Sequence, residues 1–261
     1  MRNVFITTIA ALAFAGAAVA QEAAVSPVLS GEVSLDFAET ANNKYGGTMG
    51  VELGVDAAGL GTVDLNFVAT DGGAVELDTW TVGTTVGVAN IAIGDDNGLF
   101  PGAEGEQTLA APAMTESVKV SVGDAAVAVG FTDWTTDITD VSNVQGAYTL
   151  NMNIVALTAV ADYNLDSKNT VLGAGISGLD LGVATLGGAV TYDTDASLFA
   201  YEGVTTVSGL TAYVNGDQND AFQNVGGSYD YGFGGATLSA GVNYDINTKD
   251  FAPTAGLAFA F

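Results

Sequence analysis

The chain has no cysteine and no histidine. The usual nucleophile–base pairs and soft metal sites therefore cannot be built. Disulfides are excluded too, although an exported protein would be allowed them. Basic residues are scarce: five Lys and Arg stand against 30 Asp and Glu in 261 residues. Phosphate backbones are held by Lys and Arg, so no nucleic-acid partner is expected. Such acidity suits cations, or simply keeps loops solvated. No long apolar run follows residue 20, which excludes transmembrane helices downstream of it.

What is present is glycine and alternation. The 35 glycines exceed ordinary usage of about 7%. They fall among Val, Leu, Thr and Tyr, which marks strands and turns rather than a flexible linker. The first twenty residues differ. Arg2 precedes an apolar stretch from Val4 to Ala18, and Ala18-Val19-Ala20 precedes Gln21. A positive start, a short apolar core and an A-x-A site form a secretory signal. We expect residues 1–20 to be cleaved and 21–261 to form one domain. The mature chain then carries four lysines, Lys44, Lys119, Lys168 and Lys249, and no arginine.

The end of the chain shows the pattern most plainly. Phe251, Pro253, Ala255, Leu257, Phe259 and Phe261 share one parity; Ala252, Thr254, Gly256, Ala258 and Ala260 share the other. Successive strand side chains point to opposite faces, so one face is large and apolar and the other small. About ten tilted residues cross a bilayer's hydrocarbon core. In lipid such a strand must pair at both edges. A terminal strand of a soluble sandwich is the other reading of this segment.

The same alternation recurs along the chain. Val33, Leu35 and Phe37 alternate with polar neighbours, as do Met49 to Val55, Val63 to Phe67, Trp80 to Val86 and Val118 to Val122. Pairs follow at Val144 to Leu150 with Ile154 to Tyr163, then at Leu172 to Ile176, turning at Gly178-Leu179-Asp180. Phe222 to Tyr229 and Ala236 to Tyr244 are joined by Asp230 to Gly235. About sixteen strands result, with fourteen as the alternative count because Ala89 to Gly94 and Ser117 to Val122 are short. The expected fold is an all-β transmembrane antiparallel barrel. Asp95 to Thr115 is the longest break, and long loops in compact folds usually carry function.

Charge and aromatics decide between barrel and sandwich. A base on the lipid face costs roughly 2–4 kcal/mol at mid-bilayer, and an acid somewhat less. The apolar parity of the clear strands carries no charge in mid-strand; Glu76 and Asp78 share parity with Trp80 but sit at the loop end. Phe37, Phe67, Trp80, Phe131, Tyr163, Tyr192, Phe199 and Tyr244 fall toward one end of their strands. Tyr148, Tyr229, Phe259 and Phe261 fall toward the other. Two aromatic girdles are expected of a membrane barrel, although aromatics also favour strands of any kind.

The chain resembles a general porin of the alphaproteobacterial type. The likeness rests on Leu29-Ser30-Gly31-Glu32, on Ile91-Ala92-Ile93-Gly94-Asp95, and on the tail from Gly226-Gly227-Ser228-Tyr229-Asp230 through Gly234-Gly235-Ala236 to Leu257-Ala258-Phe259-Ala260-Phe261. It implies a sixteen-stranded, homotrimeric outer-membrane pore for ions and small hydrophilic solutes, with its third loop folded into the lumen. It also implies that Phe261 is read by the barrel-assembly machinery. Family eyelets set arginines against acids; the mature chain has no arginine and departs from that pattern.

The candidate site follows from parity. Glu32, Asp36, Glu52, Asp64 and Glu202 lie on the inward parity with Lys119. They form either a cation-concentrating lumen or merely a wetted wall. Asp95, Asp96, Glu104 and Glu106 in the long loop are candidates for the constriction. Asp95 and Asp96, and separately Asp217 and Asp220 beside Asn219, are also candidates for Ca²⁺, a hard ion that takes several oxygens. No cofactor is otherwise expected. Gly173-Ala174-Gly175-Ile176-Ser177-Gly178 matches G-x-G-x-x-G but leads into another strand rather than a helix, so it is read as a chance match. The functional expectation is a cation-preferring diffusion pore and no enzyme. The alternative is a structural or adhesive barrel whose lumen is plugged by Asp95 to Thr115.

Overall fold

The computed structural model describes residues 28–40, 44–57, 61–70, 74–95, 98–101, 114, 116–133 and 139–260. Residues 1–20, Asp96, Glu104, Glu106 and Phe261 lie outside them. Among the described residues sixteen strands run in chain order. They are β1 (Val28–Thr40), β2 (Lys44–Ala57), β3 (Gly61–Thr70), β4 (Glu76–Val86), β5 (Ala89–Gly94) and β6 (Ser117–Val122). Next come β7 (Ala125–Phe131), β8 (Val141–Met152), β9 (Val155–Asn164), β10 (Thr170–Asp180) and β11 (Thr185–Asp193). The last are β12 (Leu198–Val207), β13 (Leu210–Asp217), β14 (Asn224–Phe233), β15 (Ala236–Asp245) and β16 (Asp250–Ala260). Each pairs antiparallel with its sequence neighbours, and β1 pairs with β16 to close the barrel. Closure leaves no bare edge, which is the condition for standing in hydrocarbon.

The barrel is built inside out. Gln145, Asp162, Asn143 and Ser117 are among its most buried side chains, while Phe37, Tyr148, Leu172, Leu238, Tyr231 and Phe259 are exposed. Register explains this. Leu35 sits between Met49 and Leu257, and Leu257 between Leu35 and Leu238, so one apolar row runs around the outside. Glu32 sits opposite Glu52, and Glu52 opposite Asn66, on the inside. Pro253 falls just past the last β1–β16 pair, Ala38 with Thr254, where its missing N–H costs the ladder least.

The two rims differ chemically. At one end β12–β13 and β14–β15 are joined by two-residue turns, Ser208-Gly209 and Gly234-Gly235, with positive φ at all four residues. That is the twist-matched turn of a tight hairpin. At the other end the connections begin with an Asx cap. Asp193 Oδ1 accepts the N–H groups of Asp195 and Ala196, and Asp245 Oδ1 those of Asn247 and Thr248. Asn164 Oδ1 does the same for Asp166 and Ser167. Each of these loops then turns through a left-handed residue: Lys168, Ser197 or Lys249.

Bulges shift what alternation predicts. Asn66 faces Thr79, but Phe67 faces Leu77, so Asp78 is the extra residue. Glu76 therefore pairs with Val68 on the inward row, and Leu77 takes the outward row that parity had given to acids. Gly178, expected as a turn, has φ of 64° inside β10, where the register shifts between Ile176 and Leu179. The strand continues to Asp180. Likewise Asp230 to Phe233, expected as a connection, continue β14, and only Gly234-Gly235 turn.

Candidate functional site

The lumen has two unlike walls. On β1, β2 and β3 the inward row carries Glu32, Asp36, Glu52, Asp56 and Asp64, all exposed to solvent within the bore. Their outward neighbours are Val33, Leu35, Val51, Leu53 and Leu65, so acid and hydrocarbon alternate along each strand. Thr48, Asn66 and Thr81 complete this wall. Near the turn end a cavity of about 360 Å³ is lined by Asp56, Thr62, Asn90, Lys119 and Ser121. Lys119 is level with Asp56 through the row Asp56, Thr62, Gly83, Ala92, Lys119.

The facing wall, β8 to β10, is covered. Leu99 donates its backbone N–H to Gln145 Oε1 at 2.8 Å. Gln145 is fully buried on the inward row of β8. Asn143 Nδ2 donates to Asp162 Oδ1 at 2.7 Å. A Cβ placed on Gly173 would stand 2.8 Å from the Phe100 ring, and one on Gly175 2.5 Å from Pro101 Cβ. Residues 99–101 thus leave the β5 end and lie inside the barrel against β8 and β10. The returning limb is inside as well: Met114 is buried, and its Sδ lies 2.9 Å from where Gly130 would carry a Cβ. The described parts of the third loop-end connection, residues 98–101 and Met114, form a strap inside the lumen.

At the neck of the strap Asp95 donates its N–H to Trp80 O at 2.8 Å, and Ser117 Oγ donates to Gly94 O at 3.2 Å. Asp95 and Glu116, one on each limb, are both buried. Glu202 is buried on the inward row of β12 between Ala189 and Asn215. The β13–β15 wall is polar and largely uncharged. Asn224 Nδ2 donates to Asn215 Oδ1 at 3.1 Å, and Asn243 Nδ2 to Asn224 Oδ1 at 3.4 Å.

Of the girdle candidates, Phe37, Tyr163, Tyr192, Phe199, Tyr148, Tyr229, Phe259 and Tyr244 are exposed on the outer surface. Phe67 and Phe131 are half-buried on the outward row. Trp80 differs: it pairs with Leu65 on that row but is only 6% exposed. It stands next to the bulge at Asp78, where local twist re-aims side chains. Asp217, a calcium candidate, accepts the N–H groups of Asn219 and Asp220 on Oδ1, and Gln223 Nε2 on Oδ2 at 2.8 Å. That is the same Asx cap as in the neighbouring loops. Among the described residues no three Asp, Glu, His or Cys side chains gather as a metal site.

Sequence reasoning missed the seat of the strap. Asp162, Gln145 and Glu116 gave no signal beyond parity, and Gly173 and Gly175 were visible only as a chance nucleotide motif. Side chains absent from an inward row mark where something else packs, and that was the available clue.

No family model matches the chain, and no curated protein matches it in sequence. Solved structures do. A mutant of the Rhodobacter blastica porin aligns over 90% of this chain and 100% of its own, at 14% identity and a TM-score of 0.61. A loop-deleted OmpT, an outer membrane protein of Vibrio cholerae, aligns over 90% and 99%, at 13% identity and a TM-score of 0.57. An anion-selective porin from Comamonas acidovorans aligns over 90% and 99%, at 12% identity and a TM-score of 0.55. The closed sixteen-strand antiparallel topology agrees with these likenesses: the chain has the porin fold.

Proposed function

We propose that this chain forms a water-filled pore in an outer membrane, through which ions and small hydrophilic solutes diffuse passively, cations in preference to anions. One observation carries the reading. Large apolar side chains face outward all round a closed barrel, while carboxylates on β1, β2 and β3 face inward and stay wet. A wall so charged raises the local cation concentration and repels anions. An open rather than a plugged lumen is the reading we favour, because the described part of the strap, residues 98–101 and Met114, lies against β7, β8 and β10, while the carboxylates of β1, β2 and β3 are exposed. The loops with Asx caps then face the exterior, and the two-residue turns face the periplasm. Residues 1–20 act as the export signal, and Phe261 presents the aromatic terminus to the assembly machinery. A homotrimer is the assembly we favour; one similar structure is described as a trimer form of OmpT. No catalytic role is assigned.

Single-channel recording in planar bilayers tests the pore. Discrete, long-lived steps and a reversal potential of cationic sign in a KCl gradient are expected. Folded protein that never opens steps refutes the pore and leaves a structural barrel. Steps with anionic reversal refute only the selectivity.

A further inference from the structure

We infer that Gly130, Gly173 and Gly175 are positioning residues: they form a flush seat that fixes the strap and so sets the bore. The inference rests on the pore reading for its consequence, but not for its geometry. All three glycines lie on inward rows, where the residues around them carry side chains. Gly173 stands between Val160 Cγ1, 2.7 Å from the position of its absent Cβ, and the Phe100 ring at 2.8 Å. Gly175 has Pro101 Cβ at 2.5 Å and Cγ at 2.7 Å. Real Cβ contacts stay beyond 3.0 Å, so a Cβ at Gly173 or Gly175 meets Phe100 or Pro101 of the strap, while one at Gly130 meets Met114 Sδ at 2.9 Å and the wall's own Asn143 Oδ1. The outgoing limb lies on β10 and the returning limb, through Met114, on β7. The Leu99 N–H bond to Gln145 pins the strap lengthwise. No described contact of residues 98–101 requires a charged group. Among the described residues, 98–101 meet the wall through shape and this one amide.

Gly175→Val moves Pro101 off the wall by roughly 1 Å to restore van der Waals distance. The strap is tethered at β5 and β6 and the wall blocks retreat, so it moves toward the axis. Single-channel conductance is expected to fall roughly twofold, with added flicker, by narrowing of the constriction. Gly146→Val is the control: Gly146 lies on the outward row of β8 with nothing within 4 Å of its would-be Cβ, and its conductance is expected to stay at the wild-type value. The chain has no cysteine, so Pro101→Cys with Gly175→Cys creates a single pair. A shift of about 1 Å brings the pair to disulfide Cβ separation. It is expected to oxidise within one folded barrel, read as a mass loss of two hydrogens reversed by reductant. Wild-type conductance and noise in folded Gly175→Val, or a pair that stays reduced under oxidant in the folded barrel, overturns the seat. If Gly175→Val does not fold, the cysteine pair decides alone. If the wild type opens no steps, the pore reading fails while the crosslink still decides the seat.

Discussion

Two adjacent residues on β16 separate oil from water. Ala255 lies on the outward row between Phe37 and Ala240, and Thr254 on the inward row between Ala38 and Gly241. Both sit near the middle of Asp250–Ala260, about 16 Å along the strand from either end at ~3.3 Å per residue. A lysine side chain reaches less than half that distance, so it cannot carry its ammonium fully to the interface. Ala255 lies beside Phe37 of the girdle, so Ala255→Lys should cost up to about 2–4 kcal/mol, the figure for a base at mid-bilayer. That shifts the unfolding equilibrium by roughly thirty- to a thousandfold at about 1.4 kcal/mol per decade. Thr254→Lys puts the same charge at the same depth into a wet, acidic lumen and should cost less than about 1 kcal/mol. Urea titration of each variant in lipid vesicles, followed by tryptophan fluorescence, gives both numbers. Equal costs, or the larger cost at Thr254, would refute the assignment of faces.

Further outcomes follow from the walls and rims. Glu32→Gln with Glu52→Gln removes two facing carboxylates and should move the reversal potential in a tenfold KCl gradient toward zero. Lys119→Gln should move it the other way. Asp193→Ala removes acceptors for the Asp195 and Ala196 N–H groups and for Asn169 Nδ2 and should lower stability by about 1–2 kcal/mol in the same urea titration. Ser208→Asn should gain about 0.5 kcal/mol, because Ser208 holds φ of 50° before Gly209 and Asn-Gly suits that turn. Millimolar Ca²⁺ should leave the urea midpoint unchanged, since the Asp217 carboxylate already caps its own loop; a rise would restore Asp217 and Asp220 as ligands.

The sequence was most legible where structure is local. A strand's parity is written in consecutive residues, so Val33 to Phe37, Met49 to Val55 and Phe251 to Phe259 could be assigned to faces directly. The long break at Asp95 was equally plain. Bulges were not, because one extra residue shifts parity and leaves no mark in composition; Asp78 and Gly178 both misled for that reason. Glycine misled once more, since Gly232 read as part of a turn yet lies within β14. The contacts of the strap were beyond reach. Leu99 meets Gln145 across 46 residues, and only closure of the barrel brings Phe100 and Pro101 to Gly173 and Gly175.

The most direct measurement is a cysteine scan of residues 251–259, one position at a time, in a chain with no other thiol. Each folded variant in lipid vesicles is exposed to a charged, water-soluble thiol reagent. The account predicts fast reaction at 252, 254 and 258 and protection at 253, 255, 257 and 259; position 256 is buried against Asp36 and is left out of the comparison. Uniform reactivity, or protection at the even positions, would contradict it.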